Sequence, residues 1–227
     1  MTRQLPHLLV LPSPFLGPTP YERLAAALSS QRYAASVAPS PDTPDALDLV
    51  SSWSSLAAGL GEVVLVPHSN AGYLAPVVAA APLGVPIVFV DAALPTTEGS
   101  TGLAPAGFRP QLAELAGPDG RLPRWTRWWP RADAAAVLPD PWLDRVDAVV
   151  PEVPLIYVDA EVPVPAGWAE GGRGYLAFGS TYADELAFAE RHGWPYRRLD
   201  GAGHLHLLLE PDETASAVAD LVAQLTG

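Results

Sequence analysis

The chain has 227 residues, of which 49% are hydrophobic, so it is long enough for one domain with a sizeable core and too apolar to be disordered. It has no cysteine, which excludes a disulfide scaffold, a thiolate metal site and a cysteine nucleophile. Its formal net charge is −12 and all 13 basic residues are arginine, so the chain repels phosphate backbones and we expect no nucleic-acid partner.

Strand-like and helical patterns alternate along the first part of the chain. Runs of apolar residues predict strands at 7–11, 34–38, 63–66 and 86–90. Between them, helical spacing predicts helices from Pro20, over about 44–60, and through Ala71–Val78. Such alternation is typical of a parallel sheet that is covered by helices on both faces, so we predict an α/β fold.

This alternation stops after Ala92 and resumes near residue 155. The segment between is rich in proline, glycine and tryptophan and is too long for an ordinary loop. We therefore expect an inserted lid at about 95–150, over the carboxyl ends of the strands. Beyond it the sequence predicts strands at 155–158, 175–178 and 196–199 and helices over about 182–192 and from Pro211. The result would be a single domain over 1–227 with about six or seven mostly parallel strands.

The predicted lid is rich in tryptophan and arginine. Its tryptophans are Trp125, Trp128, Trp129 and Trp142. We expect most of them to pack the lid onto the body, and one or two, Trp128 among them, to line an apolar pocket. The arginines that lie among them are Arg124, Arg127 and Arg131. On so acidic a chain these are expected to pair with surface carboxylates rather than to bind substrate.

A serine follows the third predicted strand at a tight turn. The strand Val63–Val66 runs into Pro67, His68 and Ser69, and a helix begins at once. This is the context of a nucleophile elbow, in which a sharp bend holds the serine Oγ above the sheet. Pro67 and Ala71 take its two small positions, so the literal Gly-x-Ser-x-Gly pattern is absent. The other interpretation is that Ser69 only caps the helix, and His68 is expected to pack beneath the turn.

A histidine lies in a glycine-flanked loop after the last predicted strand. Gly201 and Gly203 precede His204, so the backbone can turn and hold an imidazole out from the strand end. A serine hydroxyl is a poor nucleophile until a base takes its proton, and histidine is the usual base. We expect His204 to be that base, and His206, which enters an apolar run, to support it or to lie in the core.

The stretches Ser69–Gly72 and Gly201–His204 together resemble the nucleophile elbow and the histidine loop of the α/β-hydrolase superfamily. The serine comes first and the histidine last along the chain, as in that family, and the resemblance covers essentially the whole chain. It implies the α/β-hydrolase fold, with the first strand here matching the third strand of full-length relatives. It implies no particular substrate, because this fold hosts many chemistries.

A serine–histidine pair needs a carboxylate to orient the imidazole and stabilise its cation. In the family this acid usually follows the strand before the last one, where Tyr182 stands here. Some relatives, including haloalkane dehalogenases, place it after the strand that corresponds to 86–90, which is the position of Asp91. Asp91 is therefore the first candidate, although it could also hold a turn or the lid. The alternatives are Asp159, Glu161, Asp184 or no acid.

The resemblance also implies an oxyanion hole with two backbone donors. One should be the N–H of Asn70, the residue after the nucleophile, whose side chain is also a candidate for touching substrate. The other should come from the loop after the first strand, where the family often has a His-Gly pair that Pro12 and Ser13 replace here. Pro14 comes next and has no N–H. The second donor is then expected to be the Phe15 N–H, or the N–H or hydroxyl of Ser13.

Other partners and cofactors are not predicted. No histidine–carboxylate cluster has metal-ligand spacing, and no glycine-rich loop follows the first strand, so we expect neither a metal nor a nucleotide cofactor. The N-terminal residues Met1–Gln4 contain no apolar signal region, and no apolar run is long enough to span a membrane. We therefore expect a cytoplasmic protein without membrane contact; the sequence predicts no oligomeric state.

The predicted activity is that of a serine hydrolase acting on a small apolar ester, lactone or thioester. Ser69 would attack the carbonyl, His204 would move the proton, and Asp91 would orient His204. Two alternatives use the same fold. One is a lyase or cyclase in which the serine and histidine transfer protons, and the other is a non-catalytic binder of small molecules.

Overall fold

A computed structural model describes residues 5–80, 84–105 and 107–227. The absence of a signal region was predicted from Met1–Gln4, which lie outside the described residues. The central feature is a six-stranded parallel sheet with the strand order β2-β1-β3-β4-β7-β8. This confirms the predicted fold class.

The elements follow one another in near-regular alternation at both ends of the chain. The strands are β1 (His7–Leu11), β2 (Ala35–Val37), β3 (Val63–Ser69), β4 (Ile87–Ala92), β5 (Ser100–Gly102), β6 (Glu161–Pro163), β7 (Arg173–Phe178) and β8 (Tyr196–Leu199). The α-helices are α1 (Glu22–Ser30), α2 (Ala46–Leu60), α3 (Ala75–Ala80), α4 (Arg109–Leu115), α5 (Arg131–Val137), α6 (Trp142–Asp147), α7 (Leu155–Val158), α8 (Ala183–Arg191), α9 (His206–Leu209) and α10 (Pro211–Thr226). Short 3₁₀ helices lie at Thr19–Tyr21, Asn70–Tyr73 and Trp125–Arg127.

The central strands are apolar on both faces, which places the core on both sides of the sheet. In β1, Leu9 and Leu11 pack into one apolar cluster, and Leu8 and Val10 pack into the other. Strands β3 and β4 divide their side chains in the same way. Helices on both faces complete these two layers, and open α/β sheets of this kind bind ligands at the carboxyl edge of the sheet.

One predicted strand is a helix. Residues 155–158 form the single turn α7, which begins directly after Pro154, and the sheet passes from β4 straight to β7. Ile156 is 76% exposed, whereas Tyr157 and Val158 are both buried, so burial does not alternate along this run. The expectation was wrong because an apolar run of four residues has no periodicity that separates a strand from a helical turn.

The long segment between β4 and β7 carries structure of its own. It holds the helices α4 to α7 and a two-stranded antiparallel sheet of β5 and β6, which the sequence patterns did not predict. A hydrogen bond from Asn70 Nδ2 to the Leu103 carbonyl, 2.6 Å long, joins this segment to the end of β3. Within the described ranges, no helix combines the length and the apolar character needed to cross a bilayer.

Candidate active site

Ser69 ends β3 in a strained bend. Its backbone φ is +56°, a left-handed value that residues other than glycine rarely adopt, and a 3₁₀ helix starts at the next residue. Gly72 makes the bend possible, because a Cβ at this position would lie 2.0 Å from the Ala93 carbonyl oxygen. The turn after the serine therefore packs directly on the backbone that follows β4. This geometry is the one predicted for a nucleophile elbow.

The structure brings Ser69, His204 and Asp91 together. His204 Nδ1 lies 2.7 Å from Asp91 Oδ2, and His204 Nε2 lies 3.1 Å from Ser69 Oγ. A carboxylate only accepts hydrogen bonds, so Nδ1–H donates to Asp91 and Nε2 is left to accept from the serine hydroxyl. Asp91 is fully buried, and its other oxygen, Oδ1, accepts a bond of 2.9 Å from the Phe178 N–H. Both carboxylate oxygens are thus fixed, which holds the imidazole in one tautomer and one orientation.

None of the alternative acids contacts His204. Asp159 forms a two-bond ion pair with Arg109, and Glu161 accepts a bond from the Ser100 hydroxyl, both at the protein surface. Asp184 lies at the start of α8 and lines the cavity above the serine. His206 does not support the pair either, since its Nε2 bonds Glu213 at 2.8 Å.

A buried hydrogen-bond chain lies beneath the site and begins at a backbone N–H. Ser13 N–H donates to the Tyr21 hydroxyl at 3.0 Å. The His204 carbonyl can only accept, so His68 Nε2–H donates to it at 3.1 Å. The Nδ1 of the neutral ring is then left to accept the Tyr21 hydroxyl proton, at 2.7 Å. All hydrogen bonds of this series therefore donate in the same direction. Together they connect the loop after β1, the elbow and the histidine loop. No local sequence pattern predicts this series, because its members lie far apart along the chain.

His68 is held neutral within this chain. Burial, with a smaller effect from the neighbouring His204, holds the pKa of His68 well below its ordinary value. Its ring stacks on the His204 ring with the centroids 4.7 Å apart. The structure thus places His68 beneath the elbow, as predicted, and in direct contact with the histidine of the site.

The structure removes the Ser13 N–H from the candidate oxyanion donors, whereas the Ser13 hydroxyl stays a prediction. The N–H is occupied by Tyr21, and Ser13 is not among the described residues that line the cavity above Ser69. Phe15 and Asn70 do line that cavity. No acceptor among the described residues takes the backbone N–H of either one, so both amides are available to a ligand oxygen.

The Asn70 side chain fastens the segment after β4 to the elbow. One N–H of its Nδ2 donates to the Leu103 carbonyl, and its Oδ1 accepts from the Tyr157 hydroxyl, each at 2.6 Å. Asn70 also lines the cavity above Ser69, so contact of its side chain with a substrate stays a prediction.

A cavity of about 490 Å³ opens above Ser69 and His204. Aromatic side chains form much of its wall: Phe15, Tyr73, Phe108, Trp125, Trp128, Trp129 and Tyr182. Trp128 is fixed by a bond from its Nε1 to the Pro123 carbonyl and by an edge contact with the Phe15 ring, 4.9 Å away. Three tryptophans of the insertion line the cavity rather than the expected one or two. Trp142 lies elsewhere, and the guanidinium groups of Arg23 and Arg145 are 4.8 and 5.2 Å from its ring centroid.

The charged side chains of the cavity are carboxylates. Asp184 and Glu185 line it, whereas no arginine stands among its described lining residues. Burial, and to a lesser degree the nearby Asp184 and Asp91, raise the pKa of Glu185 above its ordinary value. The three arginines that lie among the tryptophans are paired outside the cavity, as predicted: Arg124 and Arg127 with Asp147, and Arg131 with Asp140 and Asp144.

The sequence matches no protein-family model and no curated protein. Solved structures do resemble this one. An extracellular α/β-hydrolase from a Paenibacillus species has a TM-score of 0.76 at 13% identity, over 95% of this chain and 98% of that one. Tomato methylketone synthase I, complexed with 2-tridecanone, has a TM-score of 0.71 at 13% identity, over 99% and 100% of the two chains. Polyneuridine aldehyde esterase has a TM-score of 0.70 at 15% identity, over 96% and 99%. Likeness over the whole length at such low identity is a likeness of architecture: this chain has the α/β-hydrolase fold.

Proposed function

We propose that the protein is a serine hydrolase that cleaves a small, apolar ester, lactone or thioester. The observation that carries the proposal is the position of His204, hydrogen-bonded to Asp91 through Nδ1 and to Ser69 through Nε2. The similar structures include a hydrolase and an esterase, which supports the same reaction class.

The acylation step follows from this arrangement. Ser69 Oγ forms a bond to the carbonyl carbon of the substrate while its proton passes to His204 Nε2. The carbonyl oxygen becomes an oxyanion and accepts hydrogen bonds from the free N–H groups of Phe15 and Asn70. The bond to the leaving group then breaks, and the leaving oxygen or sulfur takes the proton from Nε2. Asp91 stays ionised throughout and stabilises the imidazolium.

Hydrolysis of the acyl-enzyme runs through the same groups in reverse roles. A water molecule gives one proton to His204 Nε2 as its oxygen bonds the acyl carbon. The second tetrahedral intermediate collapses when the bond to Ser69 Oγ breaks and Oγ takes the proton back. The products are a carboxylic acid and the regenerated serine.

The cavity favours an uncharged, largely apolar substrate. A volume of about 490 Å³ accommodates a small molecule, and the aromatic wall would bury its apolar surface. Asp184 and Glu185 would repel an anionic substrate. The insertion between β4 and β7 supplies much of this wall, and we propose that it acts as the lid of the site.

The test begins with intact-mass spectrometry after exposure to a fluorophosphonate. We expect one adduct on the wild type and none on Ser69→Ala. A panel of neutral esters and thioesters, with product analysis, then identifies the reaction. Asp91→Asn should reduce turnover strongly, whereas Glu161→Gln, at the surface, should not.

Two results would overturn the proposal. A wild-type protein that carries no adduct, under conditions that label a control serine hydrolase, would favour a non-catalytic binder, whose ligand binding should survive Ser69→Ala. Turnover that releases no acid product would favour a lyase or cyclase. One of the similar structures, methylketone synthase I, bears the name of a synthase rather than of a hydrolase.

A further inference from the structure

A second cavity adjoins the one above Ser69. Its volume is about 280 Å³, and helix α5 supplies two of its apolar side chains, Ala134 and Val137. The two cavities have four lining residues in common, which are Trp125, Trp129, Thr181 and His204. The histidine of the site therefore belongs to the walls of two spaces of different size.

The reacting groups are divided between these two cavities. Ser69, Phe15 and Asn70 line the larger cavity and are absent from the described lining of the smaller one. His204, by contrast, lines both. The nucleophile and the two free backbone amides thus belong to the larger cavity alone, whereas the base also reaches the smaller one.

This division assigns the two halves of an ester. During acylation the carbonyl oxygen accepts hydrogen bonds from the Phe15 and Asn70 N–H groups, while the leaving oxygen takes its proton from His204 Nε2. The acyl chain and the leaving group diverge from the tetrahedral carbon, so they cannot occupy the same space. With the acyl chain in the larger cavity, the leaving group extends past His204 into the smaller one.

We propose that the smaller cavity binds a small apolar alcohol, both as the leaving group of the substrate and as an acceptor that competes with water for the acyl group. The inference rests on the proposed function, because it requires an acyl-enzyme on Ser69. It adds a second activity to hydrolysis, which is acyl transfer from one alcohol to another.

The transfer step follows the hydrolytic step with the alcohol in place of water. The alcohol hydroxyl gives its proton to His204 Nε2 as its oxygen bonds the acyl carbon. The bond from that carbon to Ser69 Oγ then breaks, and Oγ takes the proton from Nε2. The products are a new ester and the regenerated serine, and the alcohol is the only co-reactant.

The wall of the smaller cavity favours an alkyl chain over water. The side chains of Ala134 and Val137 cannot form hydrogen bonds, and the indole rings of Trp125 and Trp129 present mainly apolar surface. The one carboxylate of its described lining, Asp133, is exposed. Each methylene group that such a wall buries strengthens binding by about fourfold. The acceptor that this cavity selects is therefore an uncharged alcohol with a short alkyl chain.

The test measures how the acyl-enzyme divides between alcohol and water. The protein is given a 4-nitrophenyl butyrate substrate with methanol or n-butanol at equal concentration, and gas chromatography measures the ratio of new ester to butyric acid. This ratio depends only on the step after acylation, so a variant that acylates slowly does not change it. For the wild type we expect a ratio at least about 10-fold higher with n-butanol than with methanol, because n-butanol buries three more methylene groups.

A matched pair of variants assigns the effect to this cavity. Val137→Trp fills the cavity and should lower the n-butanol ratio by about fivefold or more. Val137 is 37% exposed, so the larger side chain does not overpack the core. Ala136→Trp is the control, because Ala136 is exposed on the same helix and outside the described lining of both cavities, and it should keep the wild-type ratio. The comparison of the two alcohols on the wild type tests the inference even if Val137→Trp does not fold.

The outcomes separate this inference from the proposed function. If the wild type forms butyric acid without any ester, or shows the same ratio with both alcohols, the smaller cavity holds no acceptor and the serine-hydrolase proposal stands. If Val137→Trp keeps the wild-type ratio, or Ala136→Trp loses as much, the assignment to this cavity is overturned. If the wild type neither reacts with a fluorophosphonate nor turns over any ester, both proposals fail together.

Discussion

Gly72 is the position at which a single methyl group should disturb this protein most. The Cβ of a Gly72→Ala variant would lie 2.0 Å from the Ala93 carbonyl oxygen, 3.0 Å from the carbon of that carbonyl, and 3.1 Å from the Ala92 Cβ. Ordinary contact begins near 3.4 Å. The obstacles are the Ala93 carbonyl and the Ala92 Cβ, and no side-chain rotation moves either one. The turn after Ser69 must therefore move away from β4 by about an ångström or more.

Two magnitudes follow from this displacement. Overpacking of a core typically costs about 1–3 kcal/mol, and a backbone obstacle at this distance places Gly72→Ala at the upper end, at about 3 kcal/mol of unfolding free energy. Ser69 lies three residues before Gly72 and would move with the turn. A misplacement of about 1 Å can lower the rate of a positioned reaction by about 100-fold, which is the loss we expect in kcat/KM.

Gly59 offers a matched control with the opposite sign. It lies near the end of α2, is exposed, and a Cβ there would meet nothing within 4 Å. Because alanine is the better helix former, Gly59→Ala should stabilise the protein by up to about 1 kcal/mol and leave kcat/KM unchanged. Urea denaturation would measure both free energies, and a neutral ester would report on the rate. A Gly72→Ala variant with wild-type stability and turnover would refute the reasoning.

Three further changes have distinct expected effects. Asp91→Asn should lower kcat by about 10³- to 10⁴-fold, because an amide cannot accept from both the Phe178 N–H and the His204 Nδ1–H. Tyr21→Phe should cost about 1–3 kcal/mol of unfolding free energy, since it leaves a buried N–H and a buried ring nitrogen without partners. Glu185→Gln should raise Tm near pH 8 and hardly change it near pH 4. The raised pKa of Glu185 means that the folded protein keeps a proton that the unfolded chain has released, so stability is lost as pH rises through that raised pKa.

Each of these changes has a control and a contrary result. Glu161→Gln alters a surface carboxylate and should keep full activity, and a fully active Asp91→Asn would exclude Asp91 from the reaction. Tyr33→Phe is the control for Tyr21→Phe in urea denaturation, and equal stability of the two variants would contradict the hydrogen-bond chain. Glu190→Gln is the control for the thermal measurement, because Glu190 is an exposed carboxylate on the same helix as Glu185. If the Tm difference between Glu185→Gln and the wild type is the same at both pH values, Glu185 does not have the raised pKa on which this prediction rests.

The parts of the fold that local chemistry determines could be predicted. Continuous apolar runs at 7–11, 63–66 and 86–90 are strands β1, β3 and β4, because strands buried on both faces need apolar side chains at every position. The bend at Ser69 and the glycine-flanked loop at His204 were recognisable for the same reason: each requires particular residues within a few positions.

Whatever depends on distant partners could not be predicted. Residues 155–158 form a helical turn that begins directly after Pro154 and whose Tyr157 hydroxyl bonds Asn70 Oδ1. The composition of the apolar run alone does not reveal this distant contact. The sequence left the choice among Asp91, Asp159, Glu161 and Asp184 open. Asp91 is 113 residues from His204 in sequence, and only the arrangement of the sheet brings the two side chains together. The Ser13 N–H could not be excluded as a donor from the sequence for a similar reason, because packing places the Tyr21 hydroxyl that accepts it.

The carboxylates of the cavity wall bear on how a catalytic cycle would end. Hydrolysis would convert a neutral substrate into an anion in a cavity that Asp184 and Glu185 line and whose histidine is bonded to the buried Asp91. Electrostatic repulsion from these carboxylates would drive the anionic product out of the cavity that had accepted its uncharged precursor. Product inhibition by the acid should therefore be weak, with an inhibition constant well above the KM of the parent ester, and it should weaken further as the acid ionises.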